Sequence, residues 1–445
     1  MNNLRLLTGC LVAILSGTGL HTFADTPAAM PQGDVISMEQ LFEIAEHNSV
    51  QLRPSFSAEE EARLEVNVAR SAYLPDIEAS LSVSGIGDGF TTARDFSDCQ
   101  KAPIPHFGNG LSLTVSQPLY AGGAIRSGIE MAELKSTASR FATEMQRDNI
   151  RFRLAGFYLD LYKYRNLRTV VADNLRLANR MLADMTARFE QGVALRNDIT
   201  RYELLVANLE LELTRIDNTI DILTHNLAVT AGLPAGTRIL PDSTMLLRAL
   251  PADGEAWWCR EAADNAPAIA LARTGVEISR KGEALVKSER LPHVGIQAAW
   301  SLDGPILVEV PPINRNLSYW YVGLGVTYNV ASLYKSNKAL ARSRAATRVA
   351  EEQLDAVMQQ TDLTIRADYV RYLEAYEELK TRHKSVELAD RNYNVTATRY
   401  SADMALITDM LDAANARIEA DRELVNSRIN IIYYYYKLLF SSGKI

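Results

Sequence analysis

Two carboxylates three residues apart, Asp409 and Asp412, stand in the apolar run "RYSADMALITDMLDAANAR" at 399–417. At this spacing both side chains share one face of a helix. Carboxylates held close together repel one another, so rings of such pairs around an axis would favour cations and could bind a divalent ion. An Asp in the first turn also stabilises a helix N-terminus, by roughly 0.3–1 kcal/mol. This plainer role is the alternative for both residues.

No other pattern in the sequence indicates chemistry. HExxH, CxxC, P-loop and GxSxG motifs are absent, and the histidines lie scattered without metal-ligand spacing. The sequence therefore predicts no enzyme, no catalytic residue, no cofactor and no metal site within one chain. A formal net charge of −7 without a basic stripe also argues against a nucleic-acid partner.

The N-terminal residues have the layout of an export signal. One Arg precedes an apolar core, and small residues follow at Thr22 and Ala24, which predicts a signal peptide over 1–24. The segment "LLTGC" at 6–10 also resembles a lipoprotein cleavage box that would lipidate Cys10. Here, however, the apolar core follows the cysteine instead of preceding it.

The rest of the chain is duplicated. "AEHNSVQL" at 45–52 aligns with "AADNAPAI" at 262–269, whereas "RFEQG" at 188–192 aligns with "RYSAD" at 399–403. The first pair is 217 residues apart and the second 211, and the loops at 88–109 and 303–318 differ in length by the missing six. We therefore expect a first repeat over 25–232, a Pro-rich linker over 233–255 and a second repeat over 256–445.

Each repeat contains two segments with strand periodicity, at about 76–87 and 110–119 and at about 293–302 and 319–330. Apolar and polar residues alternate along them, as in strands between lipid and water, although a soluble sandwich would alternate in the same way. Four strands are too few to close a membrane barrel, which needs about eight. If they span a membrane, several chains must share one barrel.

The remaining segments, at about 123–231 and 336–442, are predicted to be helical. Apolar residues recur from Leu195 in alternating steps of four and three, the pattern of a coiled coil. No Pro occurs between Pro118 and Pro234. The helical path over 125–191 would be ~100 Å long. The predicted fold is thus α+β, with long coiled-coil helices joined to strands.

Several motifs resemble the TolC-like outer-membrane efflux channels, the outer membrane factors of tripartite export systems. They are "SAYLPDIEASLS" at 71–82, "LSLTVSQPLYAGG" at 111–123, "RFEQGVALRNDITRYE" at 188–203, "SERLPHVGIQAAW" at 288–300 and "RYSADMALITDMLDA" at 399–413. The resemblance implies a homotrimer with a 12-stranded β-barrel in outer-membrane lipid and an α-helical barrel in the periplasm. It also implies a periplasmic adaptor protein and an inner-membrane transporter as partners, in drug efflux or type I secretion.

The resemblance further implies roles for the two segments at 188–203 and 399–413, as helix-turn-helix tips at the periplasmic end. Asp409 and Asp412 would line the closed entrance, and Tyr400 and Asp198 would help to hold it shut. The expected adaptor-docking residues are Gly192, Val193, Ala194, Leu195, Asp403, Met404, Ala405 and Leu406.

The sequence departs from the family pattern at three places. Asp403 replaces a usual Gly, Ala405 stands where an Arg can lock the tip, and Asn329 replaces the proline seen at Pro118 in the first copy. The contacts that close the tip therefore need not be those of the family. A periplasmic coiled-coil adaptor or structural rod is the alternative function, because it would also carry a signal peptide and heptad hairpins.

Overall fold

The structure is a computed structural model that describes residues 35–192, 195–234, 236–242, 253–308, 312–402 and 404–445. The predicted signal peptide at 1–24, with Cys10, lies outside these residues. So do residues 235 and 243–252 of the linker.

Long helices and a small sheet account for most of the described chain. In chain order the elements are β1 (Val35–Ile36), α1 (Met38–Asn48), α2 (Arg53–Ser71), β2 (Asp76–Gly85), β3 (Gly89–Thr91), β4 (Gln100–Ala102), β5 (Phe107–Ala121), α3 (Ala124–Glu190), α4 (Arg196–Ala231), β6 (Leu240–Pro241), α5 (Glu255–Asn265), α6 (Pro267–Ser288), β7 (His293–Gly304), β8 (Leu317–Thr327), α7 (Ser332–Ser401) and α8 (Ile407–Ser441). The prediction of an α+β chain with long helices and four principal strands is confirmed.

The four long strands form one antiparallel sheet in the order β2-β5-β7-β8. Its register pairs Ile77 with Val115 and Trp300 with Trp320, so apolar residues of neighbouring strands share a face. Apolar side chains along the two outer strands are exposed, among them Ile77, Leu81, Trp320, Leu324 and Val326. One chain therefore leaves the apolar face and the edges of its sheet uncovered.

The loop between β2 and β5 differs from the expectation. Within the segment 88–109, predicted to be a plain loop, β3 and β4 pair as a short antiparallel hairpin. Lys101 Nζ lies 2.9 Å from a carboxylate oxygen of Asp88 at its base. Three-residue strands are too short to show a periodicity in the sequence, so the hairpin could not be read from it.

The long helices pair into two antiparallel hairpins, α3 with α4 and α7 with α8, and α3 also packs along α8. The shorter helices α2 and α6 lie beside α3, and α6 also lies against α7. As a continuous helix of 67 residues, α3 is ~100 Å long. None of the described helices combines the length and the apolar character that a membrane crossing requires.

A buried cluster where β1 and β6 cross the helices fixes the middle of the molecule. The Tyr158 hydroxyl lies at its centre, where it donates to the carbonyl of Ile36 at 2.7 Å and accepts from the N–H of Asp242 at 2.7 Å. Burial raises the pKa of Tyr158 to about 12. A second cluster fills the space between the hairpins toward their turns, and a third joins α5 to α7 and α8.

The duplication is visible in the helix boundaries. The first members of the hairpins, α3 and α7, end at Glu190 and Ser401, and the second members, α4 and α8, begin at Arg196 and Ile407. Both boundaries are displaced by 211 residues. Each position in one hairpin thus has a matching position in the other, which can be compared directly.

Candidate functional site

The two turns that join the long helices have the same construction. Each second helix begins after a leucine in extended conformation, Leu195 before α4 and Leu406 before α8. In the first turn Gly192 has a φ of 78°, a left-handed conformation that glycine adopts without strain. Its N–H donates to the carbonyl of Phe189 at 2.9 Å and so satisfies an acceptor at the end of α3.

Asp409 lies in the first turn of α8, and its carboxylate accepts a hydrogen bond from the N–H of Leu406 at 3.1 Å. The N–H groups at a helix start lack partners within the helix, and a carboxylate there also meets the positive end of the helix dipole. Asp409 therefore has the plainer, helix-stabilising role in the single chain. Its side chain is nevertheless exposed.

Asp412 lies one turn further along α8 and is exposed as well. Over the described part of the chain, its carboxylate has no hydrogen bond or ion pair. It is also too deep in α8 to accept from the orphan N–H groups of the helix start. Within the described residues, Asp409 therefore stabilises the helix start by a hydrogen bond, whereas the carboxylate of Asp412 makes no such contact.

Asp198 occupies the position in α4 that matches Asp409 in α8. Its N–H donates to the carbonyl of Leu195 at 3.0 Å, as the N–H of Asp409 does to Leu406 at 3.1 Å. The Asp198 side chain is half-buried, whereas that of Asp409 is exposed. The two repeats thus place an acid at the same point of each turn, in different surroundings.

Tyr400 is buried in the last turn of α7, in the cluster that joins the two hairpins. The guanidinium carbon of Arg188, at the end of α3, lies 6.0 Å from the centre of its ring. Arg188 also donates from Nη2 to the carbonyl of Ser401 at 2.6 Å. One arginine of the first hairpin therefore holds the end of the second, a contact absent from the sequence analysis. The recurrence of Arg in "RFEQG" and "RYSAD" was its only signal.

Phenol groups accompany Tyr400 in this cluster. Tyr202 is buried, and its pKa is raised by burial and further by the neighbouring Tyr393 and Tyr400. Burial likewise raises the pKa of Tyr393, while Arg417, whose guanidinium carbon lies 5.1 Å from its ring centre, acts in the opposite direction. The phenols of Tyr202 and Tyr393 therefore stay neutral, and the charged groups at this cluster are the guanidinium groups of Arg188 and Arg417.

The expected docking residues lie mainly on the outside of the turns. Gly192, Leu195, Met404 and Leu406 are exposed, and Ala405 is half-buried. Val193, Ala194 and Asp403 lie outside the described residues. Exposed leucine and methionine side chains at a helix turn make an apolar surface suited to a protein partner.

The described residues contain no group of three or more His, Cys, Asp or Glu side chains placed to hold a metal ion. Any ring of carboxylates would need contributions from several chains.

Comparison with known proteins gives a consistent result. Residues 41–232 match the family model for outer membrane efflux proteins. The chain is 21% identical over 381 residues to the outer membrane efflux protein BepC of Brucella suis biovar 1 (strain 1330), covering 85% of this chain and 79% of BepC. It is 19% identical over 437 residues to the outer membrane protein TolC of Escherichia coli (strain K12), covering 95% of this chain and 84% of TolC.

The fold is also shared with a solved structure. The outer membrane protein VceC from Vibrio cholerae superimposes with a TM-score of 0.73 at 15% identity, covering 91% of this chain and 96% of VceC. The family match covers the first repeat and the two relatives extend over both, so the chain is similar to TolC-like outer membrane efflux proteins along most of its length.

Proposed function

We propose that this outer membrane protein is a trimeric channel-tunnel. It carries substrates from an inner-membrane pump and a periplasmic adaptor to the cell exterior, in drug efflux or type I secretion. The sheet lies in the membrane, and the helical hairpins extend into the periplasm. Three copies of the sheet make a 12-stranded barrel, and the hairpins of the three chains make the wall of the tunnel.

The observation that carries this proposal is the uncovered sheet at the end of helices ~100 Å long. Its edge strands, β2 and β8, run in opposite directions, so β8 of one chain can pair antiparallel with β2 of the next. Unpaired backbone groups in lipid cost several kcal/mol each, so closure of the sheet on itself through other chains is strongly favoured.

The turns of the hairpins form the periplasmic entrance in this proposal. Asp412, exposed and without a partner in the described chain, supplies one carboxylate per copy, and Asp409 supplies a second. Six carboxylates around the axis make a cation-selective constriction. Tyr400 and Asp198 hold the hairpins in the closed arrangement, Tyr400 through its packing against Arg188.

The adaptor docks on the exposed residues of the same turns. Leu195 and Leu406 begin the second helix of each hairpin with their side chains in solvent. Single cysteines at these positions, labelled with a thiol-reactive photocrosslinker in a background with Cys99 and Cys259 replaced by Ser, should form adducts with the adaptor in cells. A cysteine at the exposed Leu64 of α2 should not. Absence of adducts at both leucines would argue against docking at the turns.

The direct test is the mass and location of the native protein. Inner membrane, outer membrane and soluble fractions are separated, and the detergent-solubilised protein is measured by light scattering. A trimer released from the outer membrane only by detergent, with channel conductance in planar bilayers, is the expected result. A soluble periplasmic monomer or dimer would overturn the proposal and favour a rod or adaptor.

A further inference from the structure

Within one chain, Arg188 joins the end of α3 in the first hairpin to the end of α7 in the second. Arg188 Nη2 donates to the carbonyl of Ser401, in the last turn of α7, and the guanidinium covers the ring of Tyr400. Carbonyls at a helix end have no partner within the helix, so an arginine is well suited to cap them. We call this contact the arginine clamp.

The duplication repeats the parts of the clamp but not the contact. Arg399 matches Arg188, 211 residues later, yet its side chain is exposed. Within the described residues that side chain has no hydrogen bond or ion pair. The residues that match Tyr400 and Ser401 are Phe189 and Glu190, at the end of α3, and both are exposed. The residues for a second clamp are therefore present, and within the described residues Arg399 does not contact Phe189 or Glu190 of its own chain.

Away from the turns, the long helices also contain a contact that is present in one position of the duplication and missing from the matching position. Phe152 of α3 stacks on Phe440 of α8, with ring centres 4.7 Å apart. The matching residues are Leu363 of α7 and Val229 of α4, which remain 54% and 49% exposed. Thus Leu363 on α7 corresponds to a residue that α3 packs against α8, and Val229 on α4 corresponds to its partner on α8. Among the described residues, both remain exposed.

These surfaces complement one another only across chains. Hairpins that alternate around a ring have two kinds of junction: α3 against α8 within a chain, and α7 against α4 of the next. The first is observed, and the second follows from the duplication if the ring is regular. A ring of three chains would contain three junctions within chains and three between chains, and a single chain contains only the first kind.

We propose that Arg399 forms a second arginine clamp between chains, donating to the carbonyl of Glu190 and covering the ring of Phe189 in the next copy. This inference rests on the proposed three-chain assembly. Phe189 keeps 38% of its surface exposed, although Arg196 of its own hairpin lies 6.0 Å from the ring centre. An aromatic ring attracts cations at both faces, so one face can serve each arginine.

The side chain of Glu190 adds a charge that the first clamp lacks. Its counterpart is Ser401, which is neutral, whereas the Glu190 carboxylate is exposed and forms no ion pair among the described residues. An arginine arriving at the Glu190 carbonyl therefore also meets a carboxylate of opposite charge. The between-chain clamp should consequently be weakened by salt more than the within-chain clamp.

Paired cysteines test the inference. In a background with Cys99 and Cys259 replaced by Ser, Arg399→Cys is combined with Glu190→Cys. The membrane-embedded protein is treated with a disulfide-containing bismaleimide, because an arginine reaches farther than a direct disulfide between two cysteines. We expect covalent dimers and trimers on a denaturing gel, at least tenfold more abundant than in either single-cysteine variant and abolished by reductant. The matched pair Arg188→Cys with Ser401→Cys should crosslink as efficiently but retain the mass of one chain.

A second pair probes the same junction along the long helices, away from the turns. Leu363→Cys with Val229→Cys should crosslink between chains, whereas Phe152→Cys with Phe440→Cys should crosslink within one. A trimer by light scattering in which the Arg399 and Glu190 cysteines leave only single-chain mass would overturn the clamp. A protein that is not trimeric would instead overturn the proposed function, so the two failures are distinguishable.

Discussion

Gly232 packs so closely against Asn48 that a Cβ at position 232 would overlap the carbonyl oxygen of Asn48. Gly232 follows the last residue of α4, and Asn48 is the last residue of α1, so the contact joins the C-termini of the two helices. Gly443 stands in the same relation to Asn265 in the second repeat. Both glycines have left-handed backbones, with φ values of 76° and 72°. Both positions require glycine for two reasons, namely the left-handed backbone and the lack of room for a Cβ atom.

Replacement of Gly232 by Ala should therefore be strongly destabilising. Left-handed φ alone costs an alanine roughly 1–2 kcal/mol, and the overlap with Asn48 forces α1 and α4 apart at additional cost. Gly123→Ala is the matched control, because Gly123 has a φ of 86° but open space around its Cβ position. Thermal unfolding followed by far-ultraviolet circular dichroism should rank wild type, G123A and G232A in falling order. Equal melting temperatures for the two variants would show that the close approach is unimportant.

Asp412→Asn should reduce cation selectivity in planar bilayers without affecting the fold. The change removes one charge per chain from the proposed constriction, and the carboxylate of Asp412 has no partner in the described chain to lose. Asp409→Asn should act similarly, since an amide oxygen can still accept from the Leu406 N–H. The measurement is the reversal potential under a salt gradient, with the exposed Glu203→Gln on α4 as the control.

The double variant with Ala at 409 and 412 gives the largest change in this series. It should lower selectivity further and also cost α8 about 0.5 kcal/mol at its N-terminus, because the bond to Leu406 is lost. Unchanged conductance and selectivity in this double variant would exclude the two carboxylates from the constriction.

Asp148 should make stability fall as pH rises from about 4 to 6. It lies on α3 beside a cavity of about 210 Å³ that is also lined by Pro267 and Phe440. Burial raises the pKa of Asp148 to about 6, against the opposing effect of Arg151, while Glu144 raises it further. The folded state then binds a proton that the unfolded state has lost in this pH range, and stability decreases with rising pH.

Asp148→Asn should remove this dependence and stabilise the protein at pH 7, by about 1–2 kcal/mol once partial solvent access is allowed for. Chemical denaturation at pH 4, 5, 6 and 7 gives the difference between variant and wild type. Asp184→Asn, at an exposed position further along α3, is the control for a general effect of removing an acid. A difference between wild type and D148N that is constant across these pH values would contradict the prediction.

Asp368→Ala should destabilise the junction of α7 and α8. The carboxylate of Asp368 is 2% exposed and lies 2.9 Å from Lys437 Nζ, and it accepts from the Ser441 hydroxyl at 3.0 Å. Its removal leaves the half-buried ammonium of Lys437 without its charge partner, at a cost of about 2–4 kcal/mol.

Glu377→Ala on the same helix provides the contrast. Its pair with Lys380 is 3.6 Å long and open to solvent, so the expected loss is below about 0.5 kcal/mol. Urea denaturation of both variants makes the comparison. Equal effects would mean that burial does not strengthen the Asp368 pair.

The sequence predicted the fold class because its signals are local and repeated. Period-two alternation from Ile77 predicted a strand, and the absence of proline over 119–233 allowed uninterrupted helices in the first hairpin. The hairpin of β3 and β4 escaped prediction because three residues carry no periodicity. The ion pair between Asp88 and Lys101 could not be predicted either, because the two residues come together only when the hairpin has formed.

The candidate site was less accessible to sequence reasoning. The local hydrogen bond between Asp409 and Leu406 is predictable, since an Asp in the first turn of a helix commonly stabilises the N-terminus. The contact of Arg188 with Ser401 was not, because the two residues are 213 positions apart and only packing of the hairpins brings them together. Nor does any local pattern explain why Tyr400 is buried while its counterpart Phe189 is exposed.

The two turns of one chain share a plan but differ in chemistry, with Glu190 and Arg196 in the first where the second has Ser401 and Ile407. In the proposed three-chain ring, a partner that approaches end-on would meet these two surfaces in alternation. A partner with threefold symmetry could bind only one kind of turn. If six identical partner subunits bound, each would have to be able to bind both kinds. Substitutions confined to one turn would therefore inactivate alternate binding positions and leave the others intact.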